Sequence, residues 1–245
     1  MGCPNLKGWW RGRRDSLPSF PRLSDLEIRN CPNQLTSFPL FPYLKTLCLH
    51  NCSLNLKQSL ERMMINNKTS GNLPSIASSS SSPSTIVAPL SKLSLMYIAE
   101  ALPEECLPNL ISLRTLYLER CPLPQGMRYL TALQYLLVRN SEVVDLSNDW
   151  DEMEWKGLRT LLSLAFCQLP KLVSLPMGLQ YVNSLQILQI SECPSLIAIP
   201  EWICKLISLQ TLTIWDSPKL ESLLEGIGAL TSLQTLEIRG RISGV

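Results

Sequence analysis

The short stretch Cys48-Leu49-His50-Asn51-Cys52 gathers two thiols around the only histidine of the 245-residue chain. Thiolate and imidazole are the ligands zinc prefers, and a Cys–His pair is also the core of many nucleophilic sites. Side chains alternate between the two faces of an extended strand, so Cys48 and His50 share a face and Cys52 does not. Such a strand offers two ligands, short of the three or four that zinc takes. Any Ser-His-Asp or Cys-His machine would have to be built on His50 alone. A GxxxxGK[ST] loop is nowhere in the sequence, so nucleotide binding by that route is excluded. The expectation is a chain without catalytic, cofactor or metal residues.

The other cysteines are Cys3, Cys31, Cys106, Cys121, Cys167, Cys193 and Cys204, nine in all with no CxxC pair. An odd set of scattered thiols reads as free, buried cysteines in a reducing compartment, which points to the cytoplasm. Net charge is only +2, far from the basic footprint of a nucleic-acid binder. No apolar run reaches the length of a membrane span. The opening MGCPNLKGWW lacks the apolar core of a secretory signal, and Leu6 occupies the place where a myristoylation signal takes Ser or Thr. A start and an end in mid-pattern lead us to expect a piece of a longer protein.

The elements that position these residues are set by a repeat. Leu185, Leu209 and Leu233 open similar phrases 24 residues apart, and the pattern L-x-x-L-x-L/I-x-x-C/S runs along almost the whole chain. Its first leucines are Leu23, Leu44, Leu90, Leu113, Leu133, Leu161, Leu185, Leu209 and Leu233, each followed by apolar residues three and five positions on. A fixed period in this range marks a stacked architecture, and this spacing is that of the leucine-rich repeat. Each x-L-x-L-x core predicts a short strand. The fold class expected is an α/β-type solenoid, with one curved parallel sheet on its concave face and irregular, short helical or 3-10 segments on its convex side. Prolines such as Pro176 and Pro200 open the convex half, where a missing donor costs little. No unit buries its leucines alone; neighbours bury them together.

The cysteines then find a place. Eight residues after each first leucine, where the chain bends inward, stand Cys31, Cys52, Cys121 and Cys193, with Ser141 and Ser217 in two further units. A compact thiol suits a buried bend that must satisfy backbone groups. Ile98 and Leu169 hold the same position, so those bends need another donor. Cys3 matches the position in a truncated first unit.

Two interruptions divide the chain. Repeats occupy 1–52, the first of them truncated; 53–88 is a low-complexity, Ser-rich insertion with a helix-compatible stretch from Lys57 to Met64; repeats resume over 89–245. The second interruption lengthens one unit to 28 residues and carries six acids between Glu142 and Glu154, with Trp150 and Trp155. It reads either as a contact for a basic partner or as a lengthened turn whose tryptophans tuck against the convex side.

Side chains between the buried leucines face out of the sheet. Glu27, Arg29, Tyr117, Glu119, Tyr135, Arg139, Trp215, Glu237 and Arg239 are the candidates for contact with a protein, and Tyr, Trp and Arg are the types that dominate such interfaces. Trp215 is expected to be exposed. Nine strands about 4.8 Å apart spread such a face over roughly 40 Å.

Several phrases carry a closer likeness: CPNLKGWW at Cys3, FPRLSDLEIRNCP at Phe20, the run from Leu169 through LPKLVSLPMGLQYVNSLQILQISECPSLIAIPEWICKLISLQTLTI, and the acidic unit with Trp150. These resemble the leucine-rich repeat region of plant intracellular disease-resistance proteins of the coiled-coil nucleotide-binding class. The resemblance implies a non-catalytic module that restrains the receptor and helps recognise a pathogen effector or a guarded host protein. It implies a protein partner, the receptor's own nucleotide-binding domain included, and places ATP/ADP binding in an upstream domain outside these residues. Two other readings stay open: an extracellular leucine-rich repeat receptor or inhibitor, glycosylated at the sequons of Asn51 or Asn67, and a substrate adaptor of a ubiquitin ligase.

Overall fold

The computed structural model describes residues 20–31, 39, 41–52, 90–142, 144, 146, 152–221 and 225–240. The Cys3 unit, the helix-compatible stretch at Lys57–Met64, the Ser-rich insertion and Trp150 lie outside the described residues.

Nine strands form one sheet in chain order, each parallel to its neighbours: β1 Asp25–Cys31, β2 Thr46–Cys52, β3 Lys92–Met96, β4 Thr115–Glu119, β5 Tyr135–Arg139, β6 Ser163–Cys167, β7 Ile187–Ser191, β8 Thr211–Trp215 and β9 Thr235–Arg239. The register never slips. Leu26, Leu47, Leu93, Leu116, Leu136, Leu164, Leu188, Leu212 and Leu236 stand in one row across all nine strands. A slip by one residue would turn every leucine outward, so the alternation itself enforces this register. β2 pairs directly with β3, so the insertion between them leaves the ladder unbroken.

Convex returns are tight 3-10 turns at Glu104–Asn109, Met127–Tyr129, Met177–Tyr181, Glu201–Lys205 and Glu225–Ala229. Pro103, Pro176 and Pro200 sit immediately before three of them in extended conformation. Each proline carbonyl accepts the amide three residues on, as from Ile203 to Pro200 at 3.0 Å. The prolines therefore close these turns while giving up no donor the turn needs.

The core is the shared interior of the coils. Leu188, Ile190 and Cys193 are each 0% exposed, whereas the equivalent Leu236 and Ile238 of β9, which has a paired strand on one side only, are 44% and 51% exposed. The contrast isolates what a neighbouring coil contributes: burial of a leucine or isoleucine is worth about 1.5–3 kcal/mol.

In the described part of the 28-residue unit, Trp155 and Glu154 lie as the second of its two readings expects. A short helix, α1, Glu152–Lys156, lies on the convex side. Trp155 is fully buried and meets Phe166 of β6 edge to face at 6.4 Å. Glu154 is buried too, ion-paired with Arg128, which also reaches Glu104 at 2.6 Å. One arginine thus joins the returns of three successive coils. Of the acids in this unit, Glu154 is committed to the stack and is no free contact for a basic partner. Gly157 follows α1 at a point where a Cβ would lie 2.1 Å from the Arg128 carbonyl oxygen. Only glycine lets the two returns approach that closely.

Candidate functional site on the concave face

Every bend is built the same way, and the bends fix the strands that carry the candidate residues. The residue just before the bend position is left-handed in eight coils: Asn30, Asn51, Tyr97, Arg120, Asn140, Gln168, Glu192 and Asp216, with φ between 48° and 56°. Asn and Asp accept this region readily, while Tyr, Arg, Gln and Glu adopt it at some cost. The conformation aims the backbone amide along the stack. Tyr97 donates to the Glu119 carbonyl at 2.8 Å, Asn140 to that of Cys167 at 2.8 Å and Glu192 to that of Trp215 at 2.9 Å. The sequence pattern did not reveal this row, although three asparagines directly before Cys or Ser hinted at it.

The bend thiols follow. Cys52 donates to the carbonyl of Ile28 in the preceding coil at 3.4 Å, Cys121 to that of Leu95 at 3.3 Å and Cys193 to that of Phe166 at 3.8 Å. The Cys31 thiol donates within its own coil, to the Arg29 carbonyl. The bends at Ile98 and Leu169, which carry no side-chain donor, give their amides to an acceptor one coil further on. The Ile98 amide meets the Cys121 sulfur at 3.3 Å, and the Leu169 amide bonds Cys193. Burial pushes the Cys52 and Cys121 thiols up and lifts Cys193 to about 11, so all three stay protonated donors near neutrality.

The side chains read as outward-facing do not form one uniform surface. The small residues of the central row, Ser94, Ala165 and Thr213, are buried; Ser191, one row further along its strand, is buried too. Large neighbours stand above them. Tyr135 is exposed, and Tyr117 and Leu137 are half-buried beside it. Together they frame a groove of about 490 Å³ that crosses β3 to β7.

The structure brings Tyr117, Glu119, Tyr135 and Arg139 together on the adjacent strands β4 and β5, with Glu119 beside Arg139 in register. The Tyr117 hydroxyl donates to Glu119 Oε2 at 2.6 Å. Desolvation first, then the bond and charge of Glu119, pushes this phenol up to about 12, and Arg139 partly offsets the rise. Arg139 Nε donates to Gln168 Oε1 at 3.2 Å, and Gln168 in turn donates to Glu192 Oε2 at 3.1 Å. A polar chain therefore runs along one rim of the groove. Gln168 and Glu192 belong to the left-handed row and were not among the sequence candidates.

The other candidates stand apart, at the two ends of the sheet. Arg29 Nε donates to Glu27 Oε1 at 2.6 Å within β1, and Arg239 pairs with Glu237 within β9. The first pair is solvent-exposed, of the kind that contributes little to stability, and in the second Arg239 is exposed while Glu237 is half-buried. Trp215 corrects an expectation. It is half-buried, its Nε1 is enclosed, and the Arg239 guanidinium lies 5.5 Å from the ring centre. An indole covered by its neighbour is supported from within the chain.

Cys48 and His50 do share the concave face, with Cys52 turned inward. The imidazole lies 5.0 Å from the Tyr97 ring. Among the described residues, no three His, Cys, Asp or Glu side chains converge as a set that could hold a metal. No helix among them is long and apolar enough to cross a membrane.

Parallel strands in one register, bends satisfied from coil to coil and 3-10 returns define a leucine-rich repeat solenoid. Solved structures agree on that fold. The leucine-rich repeat domain of the type III effector XopL is similar at a TM-score of 0.59 and 21% identity, over 91% of this chain and 73% of that one. A leucine-rich repeat protein of Leptospira interrogans is similar at a TM-score of 0.57 and 19% identity, over 90% of this chain and 50% of that one. No family model and no curated protein matches the chain.

Proposed function

We propose that this chain is a protein-recognition module whose concave face is the binding surface, and that it serves an intracellular plant immune receptor. The observation that carries the recognition role is the central groove, where an exposed Tyr135 and a half-buried Tyr117 stand over a small-residue floor on a rigid sheet. Aromatic side chains held at the centre of a preorganised surface contribute most of the energy in protein interfaces. The family likeness of CPNLKGWW, of the run from Leu169 and of the acidic-tryptophan unit supports the narrower role. In that role the module recognises an effector or a guarded host protein and restrains the receptor's own nucleotide-binding domain. It acts in the cytoplasm without catalysis, and ATP or ADP binds to the upstream domain.

Sequencing the transcript upstream of Met1 tests the narrower role. A phosphate-binding loop in frame is the expected result. A signal peptide would move the chain to the extracellular reading, and an F-box segment to the ubiquitin-ligase adaptor.

A further inference from the structure

The groove has a chemical asymmetry that narrows its occupant. Of the side chains lining it, Lys92 is the only charged one, and it stands exposed at the β3 end. Its register partners Thr46 and Thr115 carry no charge, so no acid beside it in the ladder neutralises it. The middle is apolar and aromatic, with Tyr117, Tyr135 and Leu137. Gln189 closes the far side on β7. One cation at one corner cannot follow a phosphate backbone, which needs a track of positive charge. It matches a single carboxylate instead.

From these placements we propose, building on the concave-face reading, that the groove takes an extended acidic-apolar peptide segment of the partner. Five strands about 4.8 Å apart give the groove a span of roughly 19 Å, which about six extended residues cross. Lys92 holds an Asp or Glu side chain of the segment. Tyr117 lies one strand away and Tyr135 and Leu137 two, so an aromatic or large aliphatic residue follows the acid by about two or three positions. Gln189 receives a backbone amide or carbonyl beyond it.

Selection of random peptides, long enough to span the groove, on the purified chain tests this. The expected outcome is enrichment of Asp or Glu two or three residues from Phe, Leu, Ile or Met. A synthetic peptide of the enriched sequence should bind about tenfold more weakly to Lys92→Glu, and again when its acid is replaced by the amide. It should also weaken on Tyr135→Ala. Both positions are surface sites, and an unchanged melting temperature verifies the variants. Enriched peptides without an acid, or indifferent to Lys92→Glu, overturn the proposal while the concave-face reading stands, provided Tyr135→Ala still weakens binding. Peptides indifferent to both substitutions, or no enrichment, overturn both.

Discussion

The amide of Ile98 meets the thiol of Cys121 at 3.3 Å, across the boundary between two coils. The same sulfur donates to the carbonyl of Leu95 at 3.3 Å. A bend with an apolar residue is thus completed by its successor, and Cys193 does the same for Leu169 and Phe166. Cys121→Ala would take this partner from the buried Ile98 amide, at about 1–3 kcal/mol. Cys121→Ser keeps a donor and an acceptor and should cost less. Denaturant midpoints at constant m-value measure both. Equal losses would show that the thiol only fills space.

Alkaline pH should weaken the stack before it affects the backbone. An unfolded thiol ionises near pH 8.5, while that of Cys193 is held up to about 11 by burial. Between these values the unfolded chain has released a proton that the folded chain keeps. This contribution is therefore complete below about pH 8.5 and falls as pH rises toward 11, by roughly 1–3 kcal/mol. Thermal melts across that window should show the decline, and Cys193→Ser should flatten part of it, since a hydroxyl does not titrate there.

Among the described glycines, Gly157 leaves the least room for a side chain. Alanine there brings a methyl group 2.1 Å from the Arg128 carbonyl oxygen and 2.4 Å from its Cα. Backbone cannot yield as a side chain can, so Gly157→Ala should cost about 3 kcal/mol. Glu154→Ala removes one of the two carboxylates on Arg128 and leaves Glu104 in place, so it should cost less than Gly157→Ala. Chemical denaturation ranks the two. A neutral Gly157→Ala would mean that α1 does not pack where it is described.

The strands and their register could be read from the sequence because one rule, leucine at the first and fourth places and an apolar residue at the sixth, governs all nine coils. The bend cysteines were legible for the same reason. What stayed hidden depends on contacts between coils. The thiol that serves Ile98 lies 23 residues away, and no local pattern marks it. Ser94 and Ala165 are buried beside their large register partners Tyr117 and Leu137, which sit on other coils. The covering of Trp215 by Arg239 depends on the next strand. Tyr117, Glu119, Tyr135 and Arg139 could be placed on one face by alternation alone, yet the Gln168–Glu192 extension needed the left-handed row that carries those side chains to the rim.

Site-specific photo-crosslinking most directly tests whether the concave face is the recognition surface. Tyr135 on the concave face and Tyr181 on the convex side are 47% and 42% exposed, a matched pair for the comparison. A photoreactive phenylalanine at each position, irradiated in the cell of origin, should give a discrete protein adduct from position 135 and none from position 181. Adducts from 181 alone would contradict the account.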